Sequence, residues 1–258
     1  MFVTNLKTLS CAAATFALAT GAQATTISVQ TFTDTAFSNL VNSNTVVEDF
    51  ESPGDLTLTF EGGGAGKGTA PNNFGEIEAN TSIGSSVGNF SGLGGTGSGS
   101  TCSALSIGNT TCDNIALQFD PDLNGQGNIV PDDGKWSINA ADTLGIQWDA
   151  FLSNGKQFTS LFFAMRDVSD QGATLTVATG GANPFVFSNL SNNSEQLVLI
   201  TFGSAVSSAT ITMTNSKQND SFSFDGAAIS PVPLPAAGFL LFGALGGLTA
   251  LRRRKRVS

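Results

Sequence analysis

Short segments in which apolar residues alternate with threonine or serine recur along the chain from residue 27 to residue 224. Successive side chains of a strand point to opposite faces, so this alternation is typical of strands with one buried and one solvated face. Clusters of glycine, asparagine and serine separate the segments, as turns do. The predicted strands are Ile27–Phe32, Val46–Phe50, Leu56–Phe60, Ile115–Phe119, Leu144–Trp148, Leu161–Met165, Leu175–Thr179, Phe185–Phe187, Leu197–Phe202, Ile211–Met213 and Phe222–Phe224.

Residues 25–230 contain no helical periodicity and are enough for one domain with a sizeable core. This pattern favours an all-β domain, an antiparallel β-sandwich or jelly roll. Residues 61–100 depart from this alternating pattern, because glycine, serine, asparagine and threonine dominate there. We expect that segment to be a long surface insertion in the sandwich, since it offers few large side chains to bury.

The N-terminal 24 residues have the organisation of a secretory signal peptide. Lys7 supplies a positive charge, Leu9–Ala19 is apolar or small, and Ala22-Gln23-Ala24 is an A-x-A cleavage site. We therefore expect export through the Sec machinery and a mature chain that begins near Thr25.

The C-terminal residues 231–258 form a second distinct segment. Residues 236–251 carry no charge, and with the preceding apolar residues they reach about 20 residues, enough for a transmembrane helix. A basic cluster after the span is expected to stay in the cytoplasm and to place the domain outside the inner membrane. The cluster is Arg252, Arg253, Arg254, Lys255 and Arg256.

The order of motif, apolar span and basic end resembles the PEP-CTERM sorting signal in its VPLPA variant. The motif residues are Val232, Pro233, Leu234, Pro235 and Ala236. The resemblance implies processing by an exosortase in a Gram-negative bacterium that makes extracellular polysaccharide. Leu234 departs from the commoner form, which has Glu at that position, so the identity of the processing enzyme stays open. The alternative is a plain single-pass membrane anchor.

The charge of the domain limits its partners. All 20 acidic residues but only five of the 11 basic ones lie between the two ends, so this region has a formal charge of −15. Such a domain repels nucleic acid, and we expect no nucleic-acid partner. Divalent cations and neutral sugars of an extracellular polysaccharide suit it better.

Composition also excludes several chemistries. The chain has no histidine, so Ser-His-Asp, Cys-His and His-ligated zinc sites are impossible. Cys102 and Cys112 remain after signal removal, and in an exported protein a disulfide between them is expected, with a two-cysteine metal site as the rival. No spacing singles out a catalytic acid and base among the carboxylates, so we expect no enzyme.

One acidic loop partly matches a calcium-binding loop. Asp120, Asp122 and Asn124 alternate and Gly125 follows them, as oxygen ligands do around a tight turn. The match then fails, and Asp132 is a candidate substitute ligand. Ca²⁺ is therefore a candidate cofactor, and a hydrated loop is the alternative.

A second acidic set lies near the two ends of the domain. The stretches around Val46–Ser52 and Ser221–Gly226 resemble the first and last strands of lectin-like jelly rolls and carbohydrate-binding modules. The resemblance implies adjacent terminal strands and a structural calcium ion held by Glu48, Asp49, Glu51 or Asp225. The alternative is that these carboxylates are simply on the surface.

The sequence predicts different environments for the two tryptophans. Trp148 alternates with Ile146, as a core residue does, whereas Trp136 follows an acidic loop and is the candidate aromatic platform for a carbohydrate. Arg166, followed by Asp167 and Asp170, is expected to form an ion pair that stabilises a turn.

Together these features predict an exported, cell-surface β-sandwich with a structural or interaction role in a biofilm or exopolysaccharide layer. A carbohydrate-binding module is the alternative function, and a glycan-active enzyme is the third.

Overall fold

The structure is a computed structural model, which describes residues 24–59, 66–69, 76–95, 114–119, 126–168, 174–218 and 221–232. These residues form sixteen strands, one α-helix and a 3₁₀ turn at Pro53–Asp55. In chain order the strands are β1 (Thr26–Thr31), β2 (Val46–Glu48), β3 (Thr57–Thr59), β4 (Gly66–Thr69), β5 (Glu76–Asn80), β6 (Ser82–Ser85), β7 (Gly88–Gly92), β8 (Ile115–Phe119), β9 (Trp136–Asn139), β10 (Gly145–Phe151), β11 (Phe158–Arg166), β12 (Thr174–Thr179), β13 (Phe185–Ser188), β14 (Glu195–Val206), β15 (Ser208–Asn215) and β16 (Ser223–Pro231).

The strands form two antiparallel sheets. The nine-stranded sheet has the order β1-β14-β11-β16-β9-β8-β5-β4, and β2 also pairs with β16. The seven-stranded sheet has the order β13-β12-β15-β10-β7-β6-β3. The predicted all-β sandwich is confirmed, and every predicted segment overlaps a strand.

Aromatic side chains fill the space between the sheets. Phe224 of β16 is fully buried, with ring centroids 5.0 Å from Phe163, 5.2 Å from Phe90 and 5.9 Å from Trp148. The indole Nε1 of Trp148 donates to the carbonyl oxygen of Val87 at 3.0 Å, so the polar atom of this ring is satisfied. The prediction that Trp148 lies in the core is confirmed.

The helix α1 (Asp34–Leu40) was not expected, since the sequence pattern indicated no helix inside the domain. Thr33 caps it by accepting a hydrogen bond from Ala36 N, and Phe37 is its buried residue. The ring of Phe37 packs 5.2 Å from that of Phe162 on the outer face of the nine-stranded sheet. Seven residues are too few to show helical periodicity, so this packing decides the conformation.

The expected surface insertion at 61–100 is wrong where the structure describes it. β4, β5, β6 and β7 lie in this segment and pair within the two sheets. Ile83, Val87 and Phe90 are fully buried and face the core. Small residues occupy the intervening positions, so the segment needs few large side chains to form strands.

The first residue of β1 and the last residues of β16 lie at the same end of the nine-stranded sheet. Register places Thr26 beside Thr201, Thr201 beside Ser160, and Ser160 beside Ser230, so the start of β1 and the finish of β16 lie in one row across four strands. We call this the terminal end. Arg166 lies six residues along β11 from Ser160, roughly 20 Å away at the rise of an extended strand.

Several predicted features lie outside the described residues: the signal peptide up to Gln23, Cys102, Cys112, the motif from Pro233 onward, the span 236–251 and the basic cluster. Within the described ranges, no helix has the length and hydropathy required to cross a bilayer.

Candidate functional site

Asp225 fastens a loop onto the outer face of the nine-stranded sheet. We call residues 126–135 the anchored loop. The side chain of Asp225 is fully buried, and its Oδ2 accepts hydrogen bonds from Ile129 N at 2.7 Å and Val130 N at 2.9 Å. Its Oδ1 accepts from Gly226 N at 2.6 Å. Because Asp225 follows Phe224 in a strand, it points away from the aromatic core and beneath this loop.

Gly226 makes room for this arrangement. Its φ of +56° is in the left-handed region, and an added Cβ would lie 2.8 Å from Val130 Cγ2 and 3.0 Å from the Phe37 ring. Glycine is therefore required here for both backbone conformation and space.

Glu51 holds the other end of the anchored loop. Its Oε1 accepts hydrogen bonds from Lys135 N at 2.7 Å and Trp136 N at 2.8 Å. The neighbouring Gly134 keeps a space open: a Cβ there would lie 2.4 Å from Asn128 Oδ1 and 2.5 Å from Glu51 Oε1. Two oxygen atoms from distant parts of the sequence thus converge at a glycine.

Asn128 is the residue that sequence reasoning missed. Its side chain is only 8% exposed, and its Nδ2 donates to the carbonyl oxygen of Pro131 at 2.5 Å. Its Oδ1 is buried without a hydrogen-bond partner among the described residues, although buried acceptors are normally satisfied. An asparagine in a glycine-rich loop carries no pattern that distinguishes it, so only the tertiary structure could identify it.

Ca²⁺ takes oxygen ligands from carboxylates and amides. Glu51 Oε1 and the unpartnered Asn128 Oδ1, which converge at Gly134, are oxygen atoms of this kind. The oxygens of Asp225 instead accept hydrogen bonds from three backbone amides. Within the described ranges, no three Asp, Glu, Cys or His side chains are close enough to hold a metal ion by themselves.

Of the other predicted calcium ligands that the structure describes, Glu48 and Asp49 have hydrogen-bond partners away from Asn128, and Asp132 lies on the anchored loop. Asp49 accepts from Glu51 N within its own turn. Glu48 accepts from Phe50 N and also from Ser86 N and Ser86 Oγ, so it braces its own turn and the turn between β6 and β7. The side chain of Asp132 is exposed. Asp120, Asp122 and Asn124 fall outside the described residues.

If Glu51 and Asn128 hold a calcium ion, chelation should destabilise the protein. We expect 1 mM EDTA to lower the melting temperature by several degrees relative to 1 mM CaCl₂, since a ligand present at 100 times its Kd contributes about 2.7 kcal/mol. The Asn128→Ala variant should lose most of this difference, whereas Asn44→Ala, at an exposed turn, should keep it. Differential scanning calorimetry measures both. Identical melting curves with and without calcium would exclude the cation.

Burial also makes the stability depend on pH through Asp225. Burial raises the pKa of Asp225 well above its ordinary value of 3.8, opposed by the hydrogen bonds from Val130, Ile129 and Gly226 and reinforced by the charge of Glu51. The folded state therefore holds this proton to higher pH than the unfolded state does, and the free energy of unfolding should fall as the pH rises above about 4.

Urea denaturation at a series of pH values, in EDTA, tests this dependence. Asp225→Asn should flatten the decline above pH 4, because the amide does not ionise. Asp55→Asn, at an exposed position, is the control. A decline of the same slope in Asp225→Asn and in the original protein would contradict the role given to Asp225.

A cleft of about 420 Å³ adjoins the anchored loop at the end of the sandwich opposite the terminal end. We call it the distal cleft. Its polar lining comes from the helix α1, the anchored loop and the paired strands β11 and β14: Thr33, Asp34, Asn128, Asp132, Arg166 and Glu195.

Arg166 and Glu195 face each other across β11 and β14 in this cleft. Arg166 Nη1 lies 3.6 Å from Glu195 Oε1. Burial raises the pKa of Glu195; Arg166 opposes this effect, and the charges of Asp132 and Asp34 add to it. The expected partners of Arg166 were Asp167 and Asp170, but Glu195 is the acid the structure pairs with it. Asp167 Oδ1 instead accepts from Asn193 N, and Asp170 lies outside the described residues.

Trp136 is placed less favourably for a carbohydrate platform than the sequence suggested. It is partly buried against the main core, and its ring makes an edge contact with Phe119 at 5.0 Å. Its role as a platform stays a prediction.

The fold and loop define the chain as a two-sheet antiparallel β-sandwich with an acidic loop fastened over one face. The sequence matches no protein-family model and no curated protein. Among solved structures, it is similar to the CBM22-1-GH10 modules of a Clostridium thermocellum endo-1,4-β-D-xylanase, complexed with xylohexaose, at a TM-score of 0.28 and 12% identity. The match covers 46% of this chain and 24% of that one. A TM-score this low does not establish a shared fold, and no function follows from it.

Proposed function

We propose that this chain is an exported β-sandwich protein, sorted to the cell surface through its VPLPA-type C-terminal signal. Its role there is structural or adhesive, in a biofilm or exopolysaccharide layer. The observation that most directly supports this proposal is that the described strands begin just after one predicted signal and end just before the other. β1 begins at Thr26, two residues after the cleavage site at Ala24, and the last backbone hydrogen bond within the described residues is from Val232 N to Gln157 O.

Processing at either signal would therefore leave the sheets intact. Removal of residues 1–24 spares all of β1, and cleavage within the motif that begins at Val232 spares all of β16. A signal embedded in a central strand would instead have to be extracted from the fold before it could be cut.

The position of the two ends supports display at a surface. Both Thr26 and Pro231 lie at the terminal end, and only a few residues separate Val232 from the predicted span. A tail held in the membrane or joined to a surface component would keep the terminal end close to the attachment point. The distal cleft, roughly 20 Å further along β11, would face outward.

The charge of the domain agrees with this environment. A region of formal charge −15 stays soluble and repels polyanions, whereas divalent cations and neutral polysaccharides can approach it. We propose a binding or scaffolding role rather than catalysis.

A carbohydrate-binding protein is the second candidate function. The observation that favours it is the distal cleft, which combines carboxylates, a guanidinium and buried polar atoms that lack partners within the described residues. Such groups suit ligands that both donate and accept hydrogen bonds.

Mass spectrometry of the protein recovered from the producing bacterium tests the proposal. The mature chain should begin at Thr25 and lack the basic cluster, and it should be recovered with the extracellular polysaccharide. Replacing the five motif residues by alanine should retain the full tail in the inner membrane. An intact precursor in the cytosol, with residues 1–24 still attached, would overturn the proposal.

A further inference from the structure

Two residues that line the distal cleft each carry a buried polar atom that forms no hydrogen bond within the described ranges. Arg166 Nε and Asn128 Oδ1 have no partner among the described residues. The first is a donor and the second an acceptor with two lone pairs. An unsatisfied buried polar group is destabilising, so a ligand whose binding draws these atoms into hydrogen bonds would recover free energy.

The wall also carries an excess of negative charge. Asp34, Asp132 and Glu195 supply three carboxyl groups against the single guanidinium of Arg166. An anionic ligand would have to approach these carboxyl groups, and Arg166 already faces one of them at 3.6 Å. An amine could donate to the carboxylates, but it could not accept from Arg166 Nε.

A hydroxyl group both donates and accepts, and two neighbouring hydroxyls on one ring could serve the arginine and an acid together. A cavity of about 420 Å³ has room for one or two sugar rings. Phe32 and Ile129 line the cleft but are only 8% and 4% exposed, so they offer little surface for stacking. The free energy of sugar binding must therefore come chiefly from hydrogen bonds, and the affinity should be low.

We infer that the distal cleft binds a neutral pyranose, with Arg166 donating to a ring hydroxyl and with Glu195, Asp132 and Asn128 accepting from hydroxyls of the same sugar. This inference deepens the carbohydrate-binding candidate above and rests on that candidate function. A cation held beside Glu51 would still leave one lone pair of Asn128 Oδ1 for the sugar. The ligand would be a unit of a neutral polysaccharide, approached from the side opposite the terminal end.

Saturation-transfer NMR with the methyl glycosides of glucose, galactose and mannose tests this inference, with glucuronate as the anionic probe. At least one neutral glycoside should receive saturation and show millimolar affinity, and glucuronate should bind about tenfold more weakly because its carboxylate meets three others. Silence from all three neutral glycosides would overturn the inference, and so would glucuronate binding as tightly as they do.

Variants then locate the site. Arg166→Lys keeps the positive charge but removes Nε, and it should weaken binding of the neutral glycoside about tenfold, as expected for a hydrogen bond to a charged group. Asp132→Asn, at an exposed position, should leave folding intact and weaken binding about threefold. Asp55→Asn, on a different surface, should have no effect. Unchanged affinity in both cleft variants, with melting curves like that of the original protein, would place the sugar elsewhere.

These measurements are independent of the processing experiment. A mature chain that is cut at both signals and stays with the polysaccharide, yet binds no neutral glycoside, would remove the cleft inference and leave the proposed function standing. Glycoside binding by a chain that is never exported would support the cleft inference and overturn the proposed function.

Discussion

Replacing Phe224 by alanine is expected to lower the free energy of unfolding by about 3–5 kcal/mol, the largest loss from a single core residue that we predict. The ring of Phe224 is fully buried and lies within 6.4 Å of four aromatic rings, those of Phe50, Phe90, Trp148 and Phe163. Removing it leaves a cavity between the two sheets that this rigid aromatic cluster cannot readily fill.

Urea denaturation followed by tryptophan fluorescence measures this loss, because Trp148 contacts the lost ring. Val186→Ala is the matched control, since Val186 is 52% exposed at the edge strand β13 and its truncation should cost less than about 0.5 kcal/mol. A loss of less than about 1 kcal/mol for Phe224→Ala would mean that the sheets do not pack through this cluster.

Replacing Asp225 by alanine is expected to cost about 3 kcal/mol or more, although the residue is a buried acid. The substitution leaves the amide groups of Ile129, Val130 and Gly226 without their acceptor, and each buried orphan donor costs about 1–3 kcal/mol. We also expect the anchored loop to detach from the sheet, because these bonds hold it over β16.

Asp225→Asn is the informative comparison. The amide oxygen can still accept from the loop while the cost of burying a charge disappears, so we expect a loss of about 1 kcal/mol or less in EDTA. Chemical denaturation gives both values, and hydrogen exchange at Ile129 and Val130 reports on the loop. Equal losses for the alanine and asparagine variants would show that the acceptor oxygens do not hold the loop.

The pattern of β16 shows why these two neighbouring residues differ. Phe224 points between the sheets and Asp225 points under the anchored loop, so both are fully buried. Alternation in the sequence predicted a strand with one buried and one wet face. It could not show that a loop and a helix cover the second face, because the loop contact joins residues 95 positions apart and the helix contact between Phe37 and Phe162 joins residues 125 apart.

The candidate site was predictable in part. Resemblance to jelly-roll strands implied Glu48, Asp49, Glu51 or Asp225 as calcium ligands, and the structure shows Glu51 and Asp225 accepting backbone hydrogen bonds from the anchored loop and Trp136. Glu48 and Asp49 brace turns instead. Asn128, Gly134 and the distal cleft carry no periodic signal, since their positions depend on how the loop is fastened.

What the sequence by itself determined was the all-β class and most strand positions, because alternation of apolar and hydroxyl side chains is a local property that follows directly from strand geometry. It also placed Trp148 in the core. Only the tertiary structure decided that the glycine-rich segment contributes strands, that α1 forms, and that Arg166 pairs with Glu195. Each of these depends on contacts between residues distant in the sequence, and such contacts outweigh local propensity when the local signal is short or weak.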